Sequence, residues 1–156
     1  MQIVRACGKW EQEGRTIRAS LHLEPDPQSA SRARRFVRTA LEDSEPTETL
    51  DVLTLLTSEV VTNAIVYGGS EIDVVLERRE TGIRVEVADA SPRFPARRPL
   101  DADMPGGRGL RLLDSLAGGW GVIELASGKV VWFEIETHPK DPGTSPNGRV
   151  PPQLYL

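Results

Sequence analysis

The chain predicts an α+β fold, a two-layer sandwich in which an antiparallel or mixed sheet carries its helices on one face. Three observations lead there. The apolar period is helical from Asp26 to Tyr67 and changes to two from Ser70 onward; two pairs of alternating segments are each split by a Gly-containing turn; and helical spacing returns between those pairs at Leu110 to Ala117. With 156 residues, 38% apolar and 27% charged, the composition suits one domain around one buried core.

Residues 1–15 read as an N-terminal extension, a strand or an element of a homodimer interface. Thr16 to Leu23 then places Ile17, Ala19, Leu21 and Leu23 on one face of a half-exposed strand. Asp26-Pro27 predicts a helix start, because Asp26 can accept from first-turn amides and Pro27 suits the first helical position. Ala30, Ala33, Val37, Ala40 and Leu41 form its buried stripe, and Arg34, Arg35 and Arg38 its solvated face. Glu45-Pro46-Thr47 breaks the chain, with Thr47 as cap of a second helix that Gly68-Gly69 ends. Ile72, Val74 and Leu76 alternate in one strand, and Ile83, Val85 and Val87 in the next, around the turn Thr81-Gly82. Ser91 to Pro105 is rich in Pro and Arg and reads as a long surface loop of the kind that serves as a lid. A short helix through Leu110, Leu112, Leu113, Leu116 and Ala117 leads to a second hairpin turning at Ser127-Gly128. The folded domain therefore spans 16–137, and 138–156 is a Pro- and Gly-rich tail without apolar periodicity.

Composition removes several classes of function. No apolar run reaches the roughly 20 residues that cross a bilayer, and no signal core precedes a small-residue cleavage site, so no membrane partner is expected and a cytoplasmic location follows by default. Cys7 is the single cysteine, and His22 and His138 stand far apart, which argues against a disulfide framework or a zinc site. A net charge of -4 argues against direct nucleic-acid binding, which needs a basic surface.

Polar residues in apolar surroundings mark the candidate site. Glu59 and Asn63 are one helical turn apart, with Val52, Leu55 and Val66 on one side and Leu53, Leu56, Val60 and Ala64 on the other. A carboxylate buried there unpaired would cost roughly several kcal/mol, so the pair points to a ligand-filled cleft rather than a closed core. Asp89 ends the Ile83 to Val87 strand, where a cleft begins, and its carboxylate can accept the exocyclic amino proton of adenine. Gly106-Gly107-Arg108-Gly109-Leu110 puts glycines just before a helix, where free amides and the helix dipole favour phosphate. The P-loop pattern and the Gly-x-Ser-x-Gly elbow are both missing.

In order and spacing these elements resemble the GHKL ATPases with the Bergerat ATP-binding fold, and in particular their anti-sigma-factor serine/threonine kinase branch. The resemblance runs from about Ile17 to Glu136. It rests on Ser29 to Arg38, Ser58-Glu-Val-Val-Thr-Asn-Ala64, Val87-Ala-Asp-Ala-Ser-Pro92, Gly106-Gly-Arg-Gly-Leu110 and Gly128-Lys-Val-Val-Trp-Phe-Glu134. It implies that Asn63 supplies an oxygen to Mg²⁺, that Asp89 binds the adenine of ATP, and that Gly107, Arg108, Gly109 and Leu110 bring backbone to the phosphates. Glu59 is then the base that deprotonates an attacking hydroxyl. Ser91 stands where the wider superfamily often has Gly, in the Asp-x-Ser-Pro form of this branch, and Tyr67 stands where a His is frequent. Val130 stands where a Thr often helps to hold the adenine; its loss of one hydrogen bond is expected to weaken nucleotide binding by roughly 0.5 to 1.5 kcal/mol. The implied partners are a sigma factor and an anti-anti-sigma antagonist phosphorylated on Ser or Thr. A module of another class, switching partners with nucleotide but without phosphoryl transfer, is the alternative. A sensor histidine kinase fits less well, because no helical segment with an acceptor His precedes the domain.

Overall fold

The computed structural model describes the backbone of residues 3–5, 8–13, 16–90 and 107–137, and the side chains of residues 16–90 and 111–137. Along the chain run β1 (Ile3–Arg5), β2 (Gly8–Glu13), β3 (Thr16–Leu23), α1 (Ser29–Leu41), α2 (Thr47–Gly68), β4 (Ile72–Arg78), β5 (Gly82–Asp89), α3 (Gly107–Leu116), β6 (Gly119–Leu125) and β7 (Gly128–Glu136). The strands form one sheet in the order β1-β2-β3-β4-β5-β7-β6. Every neighbouring pair is antiparallel, which settles the antiparallel-or-mixed alternative. The connection through α3 carries the chain from β5 past β7 to the edge, so β7 returns between them and pairs with β5.

The two-residue period decides which side of the sheet is dry. Ala19, Leu23, Ile72, Val74, Leu76, Ile83, Val85, Val87, Val131 and Phe133 are buried in one cluster with Ala33, Phe36, Val37 and Leu41 of α1, Leu53, Leu56, Val60, Val61 and Ala64 of α2, and Leu113 of α3. The intervening positions are exposed or half-buried and mostly polar, with Val75, Ala88, Val130 and Trp132 the apolar ones among them. On that other face Arg84 bonds Glu86 at 2.8 Å and Glu134 at 3.0 Å, and its guanidinium lies 4.3 Å from the Trp132 ring centroid. An antiparallel sheet with one wet face is the physical reason why the strand segments alternate so cleanly.

Several boundaries differ from the sequence expectation. Helix α1 starts at Ser29 rather than at Pro27, because Asp26 is used one step earlier: its Oδ1 accepts from the Gln28 amide at 2.7 Å and its carbonyl from the Ser29 amide at 2.9 Å, a local turn that precedes the helix. Pro46, not Thr47, is the N-cap of α2, and its carbonyl accepts from Leu50 at 3.1 Å. Gly69 ends that helix as expected, at φ 60 in the left-handed region where glycine meets no Cβ penalty. Helix α3 takes in Gly107 and Gly109, which were expected just ahead of it. The 22-residue α2 is long and apolar enough to cross a membrane by length and composition, against the reading that no segment is; its buried side packs in the core. Loop 91–105 and tail 138–156 lie outside the described residues.

The arginines of α1 do more than face solvent. Arg34 donates to Ser58 Oγ at 2.8 Å and Arg38 to Asp51 Oδ1 at 2.7 Å, tying α1 to α2. Exposed pairs of this kind contribute about 0.2–1 kcal/mol each, so the apolar contact beneath them holds the helices together. Glu45, buried in the connection between these helices, pairs with Arg78 at 3.3 Å and fixes that connection to the end of β4.

Candidate functional site

Asn63 and Asp89 meet at one cavity although they stand 26 positions apart in the chain (89 − 63). Its wall is Val60, Asn63, Ala64 and Tyr67 from α2, Val87 and Asp89 from β5, Leu113 from α3, and Lys129 and Val131 from β7. Asp89 turns inward for the same reason as Val85 and Val87: it shares their parity on β5 and so their face. The end of β5 is anchored on both sides. The Ala90 amide donates to Ser70 Oγ at 3.0 Å, and Gly128 lies so close that a Cβ there would stand 2.0 Å from the Asp89 carbonyl oxygen. With its φ of +151, position 128 accepts only glycine, and this contact fixes the register that sets Lys129 opposite Asp89.

Lys129 is the cavity residue the sequence reading missed. Its Nζ is 3.0 Å from Asp89 Oδ1, with side chains 3% and 1% exposed. A buried pair of this geometry offsets the cost of desolvating both charges only while both partners remain. The signal for Lys129 was present as parity: it alternates with Val131 and Phe133 on the buried face. Val130, by contrast, pairs with Ala88 and lies on the opposite face of β7 from the cavity, so the position where a Thr was expected to help hold the adenine is not part of its lining. The period of two places neighbouring strand residues on opposite faces, and a one-residue offset is enough to lose the site.

Glu59 and Asn63 are half-buried and lie at the rim of the α2 core stripe, not inside it. Leu53, Leu56, Val60 and Ala64 on one side of the pair are buried as expected, while Leu55 and Val66 on the other are 41% and 57% exposed. Neither polar side chain forms a hydrogen bond or ion pair among the described residues, so both are available to a ligand. Glu59 is one turn before Asn63 but does not line the cavity. Gly107, Arg108, Gly109 and Leu110 form the first turn of α3, whose amides have no partner within the helix, while Ser91 lies outside the described residues.

Among the described residues no group of three His, Cys, Asp or Glu side chains could hold a metal. A Mg²⁺ held here would take most of its ligands from water and phosphate, and Asn63 could offer it one amide oxygen. That is how Mg²⁺ is ordinarily bound beside a triphosphate, and the donor set fits it. An apolar cavity ending in a carboxylate, with an uncommitted amide at its rim and a helix N-terminus on the same side of the sheet, is what an ATP-binding two-layer fold of the GHKL type offers a nucleotide. The family model of the histidine kinase-like ATPase domain matches residues 23–135, and the chain belongs to that family. No curated protein matches the chain.

Proposed function

We propose that this protein is a Mg-ATP-dependent anti-sigma regulator, acting in the cytoplasm, that phosphorylates a Ser or Thr of an antagonist protein and, when free of that antagonist, sequesters a sigma factor. The observation that supports it best is the convergence of Asn63 and Asp89 on one cavity within a histidine kinase-like ATPase domain. Asp89 receives the exocyclic amine of adenine, the apolar walls Val60, Ala64, Leu113 and Val131 cover the ring, and the first-turn amides of α3 receive the phosphates. Asn63 is the residue that would hold Mg²⁺, and the ion would supply charge neutralisation for the phosphates. Glu59 takes the proton of the attacking hydroxyl as the new ester bond to the γ-phosphorus forms and the bond to the leaving ADP oxygen breaks.

A second reading, a module that switches partners on nucleotide without transfer, is favoured by one observation: Glu59 stands outside the cavity lining. One experiment separates the two. Wild type and Glu59→Gln are incubated with labelled ATP and candidate antagonist proteins. The kinase reading expects transfer by wild type and a loss of roughly 10²–10⁴-fold in the variant with ATP binding retained. Binding without any transfer by wild type, or transfer by Glu59→Gln at the wild-type rate, supports the switch instead.

A further inference from the structure

The cavity that should take the nucleobase is filled from within. It measures about 20 Å³, room for about one water at the roughly 10–15 Å³ that one needs and far below the roughly 300 Å³ at which small-molecule pockets begin. The Lys129 side chain lines it and is 97% buried (100 − 3), its ammonium on Asp89 Oδ1 at 3.0 Å. An adenine amine and a lysine ammonium are both donors, and both seek this carboxylate. Room for the two together does not exist in a space of this size.

We propose that Lys129 is a latch on the nucleotide site: in the nucleotide-free protein it occupies the base position and holds Asp89, and a base enters only after Lys129 has left. The proposal rests on the nucleotide-binding reading above and adds the residue that sets its affinity. An exit is close at hand. Lys129 follows the turn of the β6–β7 hairpin, where Ala126 and Ser127 are exposed, and a four-carbon stem can carry its ammonium from a buried position to water. Because binding is then limited to the unlatched fraction, the apparent dissociation constant exceeds the intrinsic one by the inverse of that fraction.

The test compares wild type and Lys129→Thr for binding of a non-hydrolysable ATP analogue with Mg²⁺ by calorimetry. Lys129→Thr removes both the competing donor and the stem, and it should bind about tenfold or more tightly, as expected when the competent state is a minor one. Equal or weaker binding by Lys129→Thr, with wild type still binding, overturns the latch and leaves the nucleotide reading intact. Absence of binding in both proteins overturns the nucleotide reading and the latch with it. Should Lys129→Thr fail to fold, stopped-flow mixing of wild type with a fluorescent ATP analogue decides alone. The latch requires the observed rate to reach a plateau set by the departure of Lys129, and a rate that rises linearly without limit overturns it.

Discussion

At the scale of single residues, the Asp89–Lys129 pair couples the site to stability. Both side chains are almost fully enclosed, so removing one leaves the other charged in a space built for two. Breaking a buried pair in this way costs about 3–5 kcal/mol, whereas replacing both members by apolar groups of similar volume is often neutral. Asp89→Ala should therefore lower the unfolding free energy by an amount in that range, read as a lower midpoint at unchanged slope in urea titration. The double variant Asp89→Leu with Lys129→Met should recover most of the loss. Equal destabilisation by the single and the double variant would show that the pair contributes nothing beyond packing. The same coupling bears on base selection: the affinity of any Asp89 variant for ATP and GTP has to be compared at equal folded fraction, or lost fold is mistaken for lost recognition.

At the scale of elements, β7 decides which residue addresses the base. Its odd positions Lys129, Val131 and Phe133 turn to the helices, while Val130 turns away. Val130→Thr is consequently expected to leave ATP affinity within about twofold, where a residue touching the base would gain the roughly 0.5–1.5 kcal/mol of one added hydrogen bond. Calorimetry on this single variant checks the register, and a gain of fivefold or more would place position 130 at the ligand. The strands from β3 onward, the hairpins they form and the end of α2 at Gly69 were legible in the sequence, because alternation and glycine turns are local signals; β1 and β2, within the residues 1–15 read as an extension, a strand or a dimer element, were not. The facing of β7 toward Asp89 was not. It depends on pairing with β5 at a separation of 40 positions (129 − 89), and nothing local to Gly128-Lys129 records that partner. Helix α2 was half legible for a related reason: apolar residues run nearly all round it, so the wheel could not tell that Leu55 and Val66 face outward and that Glu59 and Asn63 stand at a rim.

At the scale of the whole molecule, α2 is the element the others share. It packs against α1 and α3 and reaches β4, β5 and β7, and it supplies four of the residues around the cavity. A helix so placed cannot come away alone without uncovering the sheet, so the domain should unfold as one unit. Leu56, fully buried on α2, gives the test. Leu56→Ala removes side-chain volume from the centre of the core and should cost about 2–5 kcal/mol. The three tryptophans, Trp10, Trp120 and Trp132, all stand on strands, so their fluorescence reports the sheet, while far-UV circular dichroism is dominated by the helices. In wild type and variant alike the two signals should trace one coincident urea transition, shifted as a whole by the substitution. A helix signal that is lost before the fluorescence in Leu56→Ala would mean that α2 melts off a surviving sheet, and the cavity would then be a property of a detachable layer rather than of the fold.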